Sequence, residues 1–212
     1  MSLRARQILL SVIGILTLII VTVGVTYAVF SYTKLGTIDN VISTGTLKFL
    51  YTENSGNGSG IAIRDALPVS DDIGKSYTKD GYVFDFKVEA TNTGDDDIFY
   101  EVTLRKNQDS TLDERVVKVY LTDTTGGREK QLLVPTLFYQ LPSTSVEVED
   151  NIEKTLYQGM VRGGDQNYLK NFRLRMWIDE KTNFGNGDYN DKTFQVTVNV
   201  YANTSIVSES TT

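Results

Sequence analysis

The feature that most constrains this chain is alternation at every second residue. In "YVFDFKVEATN", Phe84, Phe86, Val88 and Ala90 fall on one side of an extended backbone, and Asp85, Lys87, Glu89 and Thr91 fall on the other. Successive side chains of a strand point to opposite faces, so this segment buries one face of a sheet and wets the other; wound as a helix, it would scatter its apolar residues around the axis. The period returns with Tyr100, Val102 and Leu104 in "FYEVTLRKN", and with Val117, Val119 and Leu121 in "VVKVYLTD". It returns again with Phe172, Leu174, Met176 and Ile178 in "NFRLRMWIDE", and with Phe194, Val196, Val198 and Val200 in "KTFQVTVNVYA". "TLYQGMV" reads as a short strand. "QLLVPTLFYQLP" is apolar but holds Pro135 and Pro142, which cannot donate to a ladder, so it reads as an edge strand or a loop covering the core.

Between these runs lie turn formers: "TNTGDDD", "TTGG" and "KTNFGNGDYND". "TNTGDDD" and "KTNFGNGDYND" each separate two alternating runs; the first pair reads as a hairpin or as two strands joined by a tight loop, and the second, C-terminal pair reads as a hairpin. One weak helix is expected near "DSTLDERVVK", with Asp109 or Ser110 as its cap. Many alternating strands with frequent turns predict an all-β fold, a two-layer antiparallel sandwich.

The first residues obey another rule. Arg4 and Arg6 precede a run, Ile8 to Val25, that carries no charge, and Thr26 and Ala28 are small residues placed for a cut before Val29. Positive, apolar, small-x-small is the order of a secretory signal. The run is also close to the roughly 20 residues that span a bilayer, so a retained transmembrane anchor is the other reading. Both place the arginines inside and the remainder outside. A type IV pilin helix would carry a glutamate just inside its apolar run, and none is present. The expected organisation is a signal peptide or transmembrane anchor over 1–28, an N-terminal segment over 29–45, the sandwich over 46–205 and a polar tail over 206–212.

Composition narrows the chemistry. The 212 residues suffice for one ordinary domain after the leader. Net charge is −6, and removing the leader takes away two arginines and no acid, leaving a more acidic body. Such a surface does not suit nucleic acid, which is bound by replacing counterions with cations. With no cysteine and no histidine, thiolate chemistry, disulfides, imidazole-bound zinc and any triad using histidine are excluded. Carboxylate or lysine chemistry is what remains for an enzyme, and no catalytic constellation stands out.

Local motifs add little. Asp95, Asp96 and Asp97 read as a solvated turn. Asn183, Asn186, Asp188, Asn190 and Asp191 offer oxygens for calcium but lack EF-hand spacing and a closing glutamate. "NSGNGSG" lacks the Gly-Lys-Ser/Thr of a phosphate loop. Arg173, Arg175 and Trp177 share the strand face opposite the core, where they either stack along an exposed sheet face or bind an acidic ligand or sugar. No cofactor or metal is expected, and the chain does not read as an enzyme.

The stretch "TYAVFSYTKLGTIDNVISTGTLKF" resembles the start of the TasA/camelysin family of Gram-positive surface proteins. The resemblance rests on Thr26-Tyr27-Ala28, Phe30-Ser31 and the later Gly45-Thr46-Leu47, supported by "FDFKVEATNTGDDDIFYEVTL" and "FQVTVNVYA". It implies a jelly-roll-like sandwich, export through the cytoplasmic membrane to the cell surface or biofilm matrix, and cleavage by a signal peptidase of the SipW type. It further implies self-association into fibres, with the freed segment of one subunit adding as a strand to its neighbour. The residues matching that donor run from Val29 to about Val41 and include Phe30, Tyr32, Lys34 and Leu35. Some relatives are described as metalloproteases; without histidine that activity has no zinc mechanism here. The rival reading is a membrane-anchored extracellular sandwich that binds or adheres to a glycan or a host protein.

Overall fold

The computed structural model describes residues 40–44, 47–53, 60–78, 81–146, 153–184 and 191–203, with side chains described from residue 60 onward. The leader, the cleavage residues Thr26, Ala28 and Val29, and the donor residues Phe30, Tyr32, Lys34 and Leu35 lie outside the described residues. Eleven strands are described: β1 (Asn40–Thr44), β2 (Leu47–Glu53), β3 (Gly60–Arg64), β4 (Pro68–Val69), β5 (Val83–Asn92), β6 (Ile98–Lys106), β7 (Val117–Asp123), β8 (Lys130–Leu137), β9 (Glu153–Val161), β10 (Tyr168–Asp179) and β11 (Thr193–Asn203). A short helix, α1 (Asp71–Lys75), stands between β4 and β5.

The strands form two sheets. The larger runs β1-β2-β5-β10-β7-β8, with the two-residue β4 pairing in parallel beside the end of β10. The smaller runs β3-β11-β6-β9. All other pairings are antiparallel. The architecture is the expected all-β two-layer sandwich.

The alternation determines what lies between the layers. Phe84, Phe86, Val88, Leu121, Phe172, Leu174 and Met176 enter from the larger sheet, and Ile63, Tyr100, Val102, Leu104, Phe194 and Val196 from the smaller, all buried. Phe86 stacks on Phe172 at 4.9 Å, and Tyr157 of the smaller sheet meets the same Phe172 edge-on at 5.3 Å, so rings from both layers interdigitate. Each such side chain contributes roughly 1.5–3 kcal/mol on burial.

The expected C-terminal hairpin is not a hairpin, and of the two readings of the β5–β6 pair the one observed is two strands joined by a tight loop. β5 lies in the larger sheet and β6 in the smaller, and likewise β10 and β11 occupy opposite layers. Alternation says which side of a strand is buried, and both members of each pair do bury their apolar side. It does not say whether the next strand lies beside it or across from it. The polar turn 93–97 therefore carries the chain between layers. The β1–β2 pair is a hairpin: Thr44 pairs with Leu47, leaving only Gly45 and Thr46 between them. The β7–β8 pair is another, turning through a 3₁₀ segment at Thr125–Gly127 where Gly126 and Gly127 take φ of 78° and 82°. β8, which contains Pro135, is the edge strand expected of that segment, and its register slips twice along β7.

No helix forms around Asp109 and Ser110. Instead the Thr111 and Leu112 amides both donate to the Thr193 carbonyl, at 2.8 and 3.0 Å. Ser110 Oγ donates to the Gln195 carbonyl and accepts from its amide, at 3.1 and 3.0 Å. Short polar side chains that bond the backbone directly compete with a helix, and here β11 supplies their partners. The helix that does form, α1, has Asp71 and Asp72 in its first turn and Lys75 in its last, which matches its dipole.

Candidate functional site

The outer face of the larger sheet carries the two arginines and the tryptophan singled out in sequence. Arg173 forms a bidentate pair with Asp85, both bonds 2.7 Å, and a third bond to Glu129 at 2.9 Å. Arg175 is almost wholly buried; it grips both oxygens of Glu129 at 2.8 Å and the Tyr77 carbonyl at 2.7 Å. Hydrogen bonds from Arg175, then Arg173, hold the Glu129 carboxyl below the usual carboxylate range against the opposing effect of burial. The bonds to Asp85 raise the Arg173 guanidinium further. Trp177 lies 1% exposed beneath α1, where a Cβ on Gly74 would come 2.2 to 2.7 Å from its ring. This face uses its guanidinium donors and its indole internally, and neither is presented to an acidic ligand or a sugar.

Two lysines bracket the β7–β10 pair. Lys118 contacts Asp71 at 2.8 Å and Asp179 at 3.1 Å, and Lys170 contacts Asp123 at 3.0 Å. Burial alone would lower both amines, but the bonds from these carboxylates outweigh it and raise them. Burial would likewise raise Asp123; bonds from Thr125 and Lys170 hold it low instead.

The outer face of the smaller sheet is buried around Glu101, Thr103, Glu153 and Asn199. Glu153 is 1% exposed; it accepts from Thr103 Oγ1 at 2.5 Å, Asn199 Nδ2 at 3.0 Å and the Tyr201 hydroxyl at 3.0 Å to each oxygen. Burial and then the nearby Glu153 charge raise the Tyr201 phenol. Glu101 accepts from Ser145 Oγ at 2.5 Å and from Thr155 Oγ1. These bonds tie β6, β9, β11 and the 143–145 segment together. Period two marks such positions as polar but gives no sign that they are covered.

A surface pocket of about 380 Å³ opens where β5 ends and β10 begins, lined by Glu89, Ala90, Thr91, Gln166, Asn167, Tyr168 and Leu169. Register brings its walls together, since Tyr168 pairs with Ala90 and Leu169 with Glu89. Thr91 Oγ1 donates to the Gln166 carbonyl at 3.2 Å. The loop carrying Gln166 and Asn167 is pinned from below by Asn92, which is buried: its Nδ2 donates to the carbonyls of Asp96 and Arg162 at 2.8 and 3.2 Å, and its Oδ1 accepts from Gly94 at 3.1 Å. The Asn92 amide donates to Asp165 at 2.7 Å, Gly164 donates to Gly94 at 2.8 Å, and Gly163 donates to Asp97 Oδ1 at 2.9 Å. Gly164 sits at φ 79°, where other residues are strained. Asp95, Asp96 and Asp97 are exposed in the facing turn, as read from sequence.

Among the described residues, no group of three Asp, Glu, His or Cys side chains converges as a metal site, and no helix is long and apolar enough to cross a membrane. Of the Asn- and Asp-rich loop weighed above for calcium, residues 185–190 lie outside the described residues; Asp191 donates its amide to Asp65 at 2.7 Å.

The fold and pocket define a two-layer β-sandwich with a corner cleft of mixed polar and apolar lining. No family model and no curated protein matches the chain. Among solved structures the chain is similar to TmCBM61 in complex with β-1,4-galactotriose, at 8% identity and a TM-score of 0.25, covering 74% of this chain and 88% of that one. It is also similar to the GH31 α-xylosidase from Xanthomonas citri, at 9% identity and a TM-score of 0.21, covering 82% of this chain and 19% of that one.

Proposed function

We propose that this chain is an exported structural protein of a Gram-positive cell surface or biofilm matrix, a TasA/camelysin-type subunit that assembles by strand donation and has no catalytic role. The observation that carries the reading is the position of β1. It begins the larger sheet as an edge strand, paired to β2, so the segment that enters the body at Asn40 does so at a sheet edge. A donor needs that position: once freed by cleavage before Val29, a chain leaving a sheet edge can add to another subunit's edge through main-chain hydrogen bonds. Head-to-tail addition that does not close yields filaments. The internal neutralisation of Arg173, Arg175, Lys118 and Lys170 fits a body built for stability rather than for turnover.

The second reading, a membrane-anchored extracellular binding domain, is favoured by the corner pocket. Mass spectrometry of the exported chain separates the two. A mature N-terminus at Val29 is the expected result for a matrix subunit released by a SipW-type peptidase. Recovery of the chain with Met1 to Ala28 attached selects the anchored domain.

A further inference from the structure

We propose that the corner pocket binds a neutral, polyhydroxylated ligand, the exposed sugar units of a glycan, through the side-chain amides of Gln166 and Asn167. Both residues are exposed, and neither side-chain amide has a hydrogen-bond partner among the described residues, while their backbone is fixed by Thr91 and Asp165. A free amide on a pinned loop presents two donors and an acceptor in one plane, the pattern that pairs with neighbouring hydroxyls. Thr91 adds a hydroxyl and Glu89 a carboxylate on the opposite wall.

The lining also selects by charge. No lysine or arginine lines the pocket, and its one charged group, Glu89, is negative and ion-paired with Lys87 at 3.0 Å. Phosphate, sulfate and uronate ligands meet no cation there. Leu169, 44% exposed, supplies an apolar surface for the C–H face of a sugar ring. The volume of about 380 Å³ lies within the range of small-molecule sites. Its walls set amide, hydroxyl and carboxylate groups beside the apolar surface of Ala90, Tyr168 and Leu169, a mixture that suits a sugar ring with its hydroxyl edge and C–H face. The loop is preorganised by Asn92, so little ordering cost falls on binding. The cleft is open, and the affinity expected is on the order of millimolar.

The test uses the full chain in lauryldimethylamine oxide, a detergent without sugar, and saturation-transfer NMR with lactose, cellobiose and maltotriose. At least one saccharide is expected to receive saturation. Binding should weaken about tenfold or more in the Gln166→Ala/Asn167→Ala double variant and persist in Gln131→Ala on β8. Circular dichroism matching the parent shows that both variants are folded. No transfer to any of the three, transfer unchanged in the double variant, or preferential binding of oligogalacturonate or of a polar peptide overturns the proposal. The readout requires neither cleavage nor filaments, so it succeeds or fails independently of the assembly reading.

Discussion

Gly74 and Trp177 show how one absent side chain positions an element. The backbone of α1 reaches the indole face only because residue 74 has no Cβ. Gly74→Ala must push α1 away or displace the ring, at a cost of about 1–3 kcal/mol. Trp177 is the only tryptophan, so its fluorescence reports the change directly. We expect a red-shifted emission maximum and a lower urea midpoint; an unchanged spectrum and midpoint would mean that α1 does not cover the ring. Glu129 makes a pH-dependent contribution of defined sign. Its arginine partners depress its folded pKa below the ordinary 4.5 of a glutamate, so its stabilisation is complete above that pH and is lost as pH falls through the lower folded value. Glu129→Gln is therefore expected to lower the urea midpoint at pH 7 and to differ far less from the parent near pH 3. A gap that stays constant across this range would show that the Glu129 charge is not what stabilises this face.

The elements divide sharply into what the sequence made legible and what it did not. Phe84, Phe86, Val88 and Ala90 announce a strand and its buried side, and so do Phe194, Val196 and Val198. Partners are not announced, because β5–β6 and β10–β11 satisfy the same pattern whether they pair in one sheet or face each other across the core. β8 was legible through Pro135, while α1 was not, since five residues are too few to show a helical period. The pocket was illegible for a further reason. Gln166 and Asn167 sit in an aperiodic loop, and only the β5–β10 register sets them beside Thr91. Asn92 reads as one polar residue among several in a turn, yet it bonds both loops. Asn92→Ala would leave carbonyls of Asp96 and Arg162 without that donor, at a cost of about 1–3 kcal/mol. Faster hydrogen exchange at Gly94 and Gly164 is the expected local sign, and unaltered exchange there would show that the corner holds without it.

At the scale of the whole molecule, an acidic sandwich is assembled so that Arg173, Arg175, Lys118 and Lys170 are neutralised internally and its larger sheet begins at an edge strand. The central claim is that the segment beginning at Val29 joins one copy to the next. Negative-stain electron microscopy of the purified chain starting at Val29, beside the same chain lacking Val29 to Leu35, tests it most directly. Filaments from the first and dispersed single particles from the second are the predicted result. Filaments from both, or single particles from both, would contradict it.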